Sequence, residues 1–188
     1  MVIDRSCDRA RGQSAAAAFF YFDFATREKQ SPERILSSLL RQVVGGLERV
    51  PARIVQAFRD RGNGIRKLRL SEIVDMFQAI PNSRPTFICL DALDECIPAY
   101  RAELLDSLKT ILRNSPSTRI YLAGRSHIRD EVEKLLAGRV VAVSITPITD
   151  DIIRFLRAEL REDTTPDAMD KSLEEDIIKS IPRTVSEM

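Results

Sequence analysis

The sequence predicts an α/β fold, a mostly parallel sheet with helices on both faces, and three features carry that expectation. Apolar runs of strand length alternate along the chain with longer segments whose apolar residues recur at helical spacing. The runs are almost continuously apolar, as parallel strands covered on both sides are. Proline opens several of the helical segments and glycine closes them.

Residues 15–24 (AAAAFFYFDF) read as the first strand. Ser31 is placed to cap a helix with Pro32 at its first position. Ile35, Leu36, Leu39, Leu40, Val43 and Val44 then form one apolar stripe, and Gly45 and Gly46 end it. A second helix over 51–61 stops at Gly62-Asn63-Gly64. Ser71 opens a third, with Ile73, Val74, Phe77 and Ile80 on one side. Residues 85–91 (PTFICLD) form the next strand. Pro98 opens a long helix carrying Leu104, Leu105, Leu108, Ile111 and Leu112, and 118–124 (TRIYLAG) is the third strand. Residues 128–136 are helical and end at Gly138, 139–145 read as a fourth strand, and Thr149 caps a helix over 150–161. The polar connector 162–170 precedes a last helix at 173–181. It marks the expected boundary between a sheet domain, 1–161, and the start of a small helical subdomain, 162–188.

The 188 residues are enough for one ordinary domain, at 44% hydrophobic and 30% charged. Lysines and arginines number 29 against 28 acids, which removes any bulk attraction to nucleic acid or an anionic membrane. The basic stretch 59–69 reads as a solvated face. Cys7, Cys89 and Cys96 lack metal-ligand spacing and are odd in number, so a disulfide framework or zinc site is not expected. A reducing compartment, the cytoplasm, is the expected location. No apolar run reaches the ~20 residues of a membrane span. The polar start of the chain does not read as a secretory leader.

The chemistry concentrates in TFICLDALDEC, residues 86–96. A hydrophobic strand delivers Asp91 at its carboxyl end, where ligands of open parallel sheets bind, and Asp94 and Glu95 follow at once. A strand followed by an acidic helix start is the plainer reading, because acids suit the helix dipole. Three clustered carboxylates, however, repel one another and face desolvation, which a bound cation would relieve. Mg²⁺ takes hard oxygen ligands, commonly one or two carboxylates plus substrate phosphates.

The full hhhhDxxDE pattern in LDALDEC resembles the extended Walker B box of NACHT domains, a group of STAND P-loop NTPases. The likeness is to the fungal set related to the nephrocystin-like N-terminal module. FFYFDF resembles that set's second strand and SPERILSSLLRQVV its following helix. IYLAGRS resembles the strand ending in the sensor arginine, and VSITPITDDIIRFLRAEL a later strand-helix unit. These matches keep their order over nearly the whole chain. The resemblance implies a P-loop NTPase-type sheet that binds ATP or GTP with Mg²⁺. Asp91 would hold the metal, Asp94 and Glu95 would polarise the hydrolytic water, and Arg125 would sense the γ-phosphate or transition-state charge. The family more often carries Thr-Ser-Arg-Pro where this chain has Ala123-Gly124-Arg125-Ser126. It also implies nucleotide-controlled opening, self-association of the intact parent, and a role in fungal nonself recognition or programmed cell death.

A Walker A loop needs Gly-Lys-Ser/Thr, so that backbone N–H groups wrap the phosphates and the lysine reaches the β and γ oxygens. The lysines here follow Glu28, Arg66, Leu108, Glu133, Asp170 and Ile178, never glycine. By resemblance, residues 1–10 match the back half of the helix after that loop, so the first strand and the loop are expected upstream of Met1. Loss of that central strand opens a gap between sheet neighbours. Residues 181–188 resemble the start of the helical lid, and the chain reads as a fragment. A nucleotide-free interaction or scaffold module is the alternative.

His127, the only histidine, has no nucleophile elbow to serve and reads as a loop residue beside the nucleotide edge. Cys89 reads as core. Phe19, Phe20, Tyr21 and Phe22 read as a buried strand rather than a base-stacking platform.

Overall fold

The computed structural model describes residues 15–47, 49–62, 68–138, 140–145, 148–162 and 170–186. Expectations about residues 1–14, among them Cys7, about Asn63 and Gly64, and about the connector at 163–169 lie outside them. The chain divides into two compact units, Met1–Val140 and Val141–Met188. The boundary placed at 161/162 rested on that connector.

In the first unit three parallel strands, β1 (Ala16–Tyr21), β2 (Thr86–Asp91) and β3 (Thr118–Leu122), lie side by side in that order. Ala18 faces Ile88 across the first pair and Ile88 faces Ile120 across the second. Both crossovers step the same way, so right-handed connections put their helices on one face. These helices are α1 (Pro32–Gly45), α2 (Ala52–Gly62), α3 (Leu70–Gln78) and α4 (Pro98–Asn114). Helix α5 (Arg129–Leu135) follows β3 and packs on α4.

The core between sheet and helices follows from two periodicities. Ala16, Ala18, Ile88 and Leu90 point inward from alternate strand positions. Ile35, Leu36, Leu39, Leu40 and Val43 meet them from α1, with Ile73, Val74, Met76 and Phe77 from α3 and Leu104, Leu105, Leu108 and Ile111 from α4. Pro32 and Pro98 occupy first-turn positions, where a missing N–H is harmless. Ser31 does not cap α1 through its side chain; its hydroxyl donates to Glu33 Oε2 at 2.8 Å. Helix α3 begins one residue before Ser71, and the Arg69 N–H donates to Glu72 Oε2 at 2.9 Å.

The aromatic cluster is not uniformly buried. Phe22 is buried and Phe20 is half-buried, whereas Phe19 and Tyr21 are exposed on the sheet face opposite the helices. Strand side chains alternate, so a run reads as continuously apolar in sequence while its two faces differ in cover.

The sheet edges differ. Alternate β1 residues turn their backbone outward, and the Gln42 amide meets Phe19 on both sides. Its Oε1 accepts the Phe19 N–H at 3.1 Å and its Nε2 donates to the Phe19 carbonyl at 2.9 Å. A side chain thus takes the place of a neighbouring strand. Strand β3 has no ladder partner on its outer side among the described residues.

The expected fourth strand does not form over 140–145, which enter no ladder. Val141, Val143 and Ile145 are 90%, 78% and 86% exposed. β-propensity supplies a pleated surface but no backbone partner, and a strand needs one. In the second unit α6 (Thr149–Glu162) packs against α7 (Lys171–Ser186). Among the described residues no helix is long and apolar enough to cross a membrane.

A half-buried ion pair ties α4 to α5. Arg101 lies on the apolar stripe of α4, its Nη2 2.7 Å from Glu131 Oε2, and its Nη1 donates to the Cys96 carbonyl at 3.0 Å. Burial pushes the Cys96 thiol up to about 11, against the lowering effect of Arg101.

Two outcomes follow. Leu39→Ala, at a fully buried site, lowers unfolding free energy in urea by about 2–5 kcal/mol, whereas Val141→Ala stays within about 0.5 kcal/mol. The thiol of Cys96 ionises first in the unfolded chain. Stability is therefore lost as pH rises from the ordinary value of 9.0 towards about 11. Cys96→Ala flattens that part of the stability–pH curve, a difference on the order of 2 kcal/mol.

Candidate functional site

Because the strands are parallel, their carboxyl ends open on one rim. β1 brings Asp23 and Phe24 there, β2 brings Asp91, and β3 leads to Gly124 and Arg125. Two cavities of about 280 and 380 Å³ lie elsewhere, one lined by Arg53, Asp60, Glu72 and Met76 and one by Arg113 and Arg119.

Asp91 is half-buried, and its Oδ1 accepts the N–H of Ala92 at 2.9 Å. Ala92 is left-handed, φ 56° and ψ 42°, a conformation that costs a non-glycine residue on the order of 1 kcal/mol. The sharp turn drives Leu93 into the core. It also aims the Leu93 N–H at the Ala123 carbonyl, 2.9 Å away, while the Ala123 N–H donates to Leu90 at 2.9 Å. The acidic turn is thus stapled to the end of β3.

Asp94 sits inside that staple. Its side chain is 8% exposed, and it meets Arg125 twice, accepting the backbone N–H at 3.2 Å and lying 3.4 Å from the guanidinium Nε. The Arg125 side chain is 79% exposed, so the pair anchors the arginine at its base and leaves its tip in solvent. A Cβ on Gly124 would stand 2.8 Å from Ile128 Cδ1, the movable end of a side chain, and 3.3 Å from Asp94 Oδ1, so a residue with more than one methyl would crowd the approach.

Glu95 turns to the other neighbour. Its Oε2 accepts the Phe24 N–H at 2.9 Å, at the start of the 3-10 turn Phe24–Lys29. Asp23 Oδ1 caps that turn by accepting from Ala25, and the Arg27 guanidinium lies 4.4 Å over the Phe24 ring. His127 is exposed in the 3-10 turn Ser126–Ile128.

The carboxylates therefore do not converge. The mutual repulsion inferred from the sequence is resolved by three separate partners: the Ala92 N–H, Arg125 and the Phe24 N–H. Among the described residues no group of three or more His, Cys, Asp or Glu is placed to hold a metal ion. Among the described residues Asp91 Oδ2 and Glu95 Oε1 meet no hydrogen-bond donor, which leaves them to a hard cation or its water. A phosphate cradle of glycine N–H groups with a lysine is not among these 188 residues.

Sequence reasoning placed Asp94 with the water-activating acids and missed its hold on Arg125. The signal was the glycine standing beside the arginine. Arg101 was also missed. A basic residue at helical spacing from Leu104, Leu105 and Leu108 announces a half-buried ion pair.

Comparison with known proteins agrees with this architecture. The Orc1 protein of Aeropyrum pernix, solved in complex with DNA, superposes with a TM-score of 0.54 at 18% identity, over 99% of this chain and 44% of that one. A Walker-type ATPase of Pyrococcus abyssi superposes at 0.52 with 17% identity, over 98% of this chain and 57% of that one. The chain thus shares the α/β fold of these two proteins, one of them a Walker-type ATPase, and spans about half the length of either. No curated protein matches the sequence. Residues 1–125, about two thirds of the chain, match the family described as Nephrocystin 3, N-terminal, and the chain belongs to that family.

Proposed function

We propose that this chain is part of a regulatory nucleotide-binding module of a signalling protein, of the NACHT type within STAND NTPases. The observation that carries it is the joining of the Asp91–Glu95 turn to Arg125 at the carboxyl rim of adjacent parallel strands. In this reading Asp91 holds Mg²⁺, Glu95 orients the hydrolytic water and Arg125 meets phosphate charge. The magnesium supplies charge neutralisation between the nucleotide's phosphates when bound. The helical lid begins after residue 161. The intact protein uses ATP or GTP to open or close and self-associates in the cytoplasm, and its biological role is fungal nonself recognition or programmed cell death.

The missing Gly-Lys step favours a second reading for the 188 residues themselves, a nucleotide-free interaction or scaffold module. Neither reading gives nucleic acid a role, since the charge is balanced.

Calorimetry on this chain tests what both readings share, and a longer chain separates them. Residues 1–188 alone should show negligible ATP or GTP affinity, and micromolar binding by this chain would contradict the placement of the lysine loop outside it. In a longer chain carrying that loop, Asp91→Ala weakens Mg-nucleotide binding. Glu95→Gln slows turnover by about 10²-fold or more with little change in affinity. Parental turnover in both variants would remove the acids from the mechanism.

A further inference from the structure

Four observations single out Asp94 from the other acids. It is nearly buried while carrying a charge, and its two oxygens face the backbone and the side chain of one residue, Arg125. The turn on which it sits is bonded to the end of β3 through Leu93 and Ala123. The closest approach comes at Gly124, where a side chain would meet both Asp94 and the buried Ile128.

We propose that Asp94 is a positioning residue that holds Arg125 at the rim, and that Gly124 is the residue that permits the hold. This rests on the reading of Arg125 as a phosphate-meeting group, and it removes Asp94 from the water-activating pair. The physical argument is one of access. Asp94 lies under the turn with its charge already matched, so incoming water would have to displace the Arg125 contacts to reach it. Among the described residues Glu95 and Asp91 each keep one oxygen without a donor. Contact at Nε and at the backbone N–H restricts the rotamers of a long side chain that is otherwise 79% exposed. Such an arm has less conformational freedom to lose when it meets an anion. Asp94 and Gly124 therefore act together, and loss of the Asp94 charge or a branched side chain at Gly124 releases the arm.

The test reads the arm directly in the full 188-residue chain, with no nucleotide present. The Nε–Hε proton of Arg125, assigned by its disappearance in Arg125→Lys, should exchange with solvent about three- to tenfold more slowly than that of free arginine. Asp94→Asn keeps the shape of the side chain and removes the charge, and it should return exchange to the free rate. Gly124→Val keeps both partners and should do the same by forcing the turns apart, since Ile128 can yield to one methyl more readily than to a branched side chain. Amide spectra of residues 86–90 check that the sheet survives each change. Fast Arg125 exchange in the parent chain, or unchanged exchange in folded Asp94→Asn, would overturn the proposal. Absence of Mg-nucleotide binding by a longer chain that carries a Gly-Lys loop, with slow exchange in residues 1–188, would refute the nucleotide reading and leave the Asp94–Arg125 hold standing.

Discussion

The hydrogen-bonding of β2 on both sides is the constraint on which this molecule depends. Thr86–Asp91 pairs with β1 along its whole length and with β3 over all but its last residue. Every backbone group of the strand must find a partner away from water, and two flanking parallel strands are the solution the chain adopts. That pairing fixes where Asp91 emerges and which strand ends stand beside it. It also explains the core, because Ile88 and Leu90 must then pack inward against α1, α3 and α4.

The rim shows how charge is accommodated at the end of such a strand. Rather than stacking carboxylates around a point, the turn gives each acid its own partner. Asp91 meets the next backbone N–H, Asp94 the arginine after β3 and Glu95 the turn after β1. The left-handed Ala92 makes this distribution possible by bending the chain within one residue. Local strain at such a place is kept only when surrounding contacts over-determine it. Here buried Leu93 and the two backbone bonds at Ala123 supply that determination. The acids thus serve the architecture first, tying three strand ends together, and the proposed chemistry uses the remaining oxygens of Asp91 and Glu95.

The two outer strands show unequal finishing. Gln42 satisfies Phe19 on the outer side of β1, whereas β3 meets no further strand among the described residues. Residues 140–145 carry a strand-like pattern yet join no ladder among the described residues.

Much was legible before any coordinates. The helical stripe from Ile35 to Val43, the proline starts at Pro32 and Pro98 and the strand ending at Asp91 follow from periodicities of 3.6 and 2 and from the loss of a donor at proline. Those are short-range rules, and local sequence states them completely. The sequence also determined that no lysine here follows glycine, a matter of covalent order alone. The uncovered side of Phe19 and Tyr21, the failure of 140–145 to pair and the turning of Asp94 towards Arg125 were decided only in three dimensions. Each depends on a partner distant in the chain: a covering helix, an adjacent strand or a guanidinium thirty-one residues away. Spacing within a segment fixes the direction a side chain leaves the backbone, but its partner is fixed by which segments the sheet brings together.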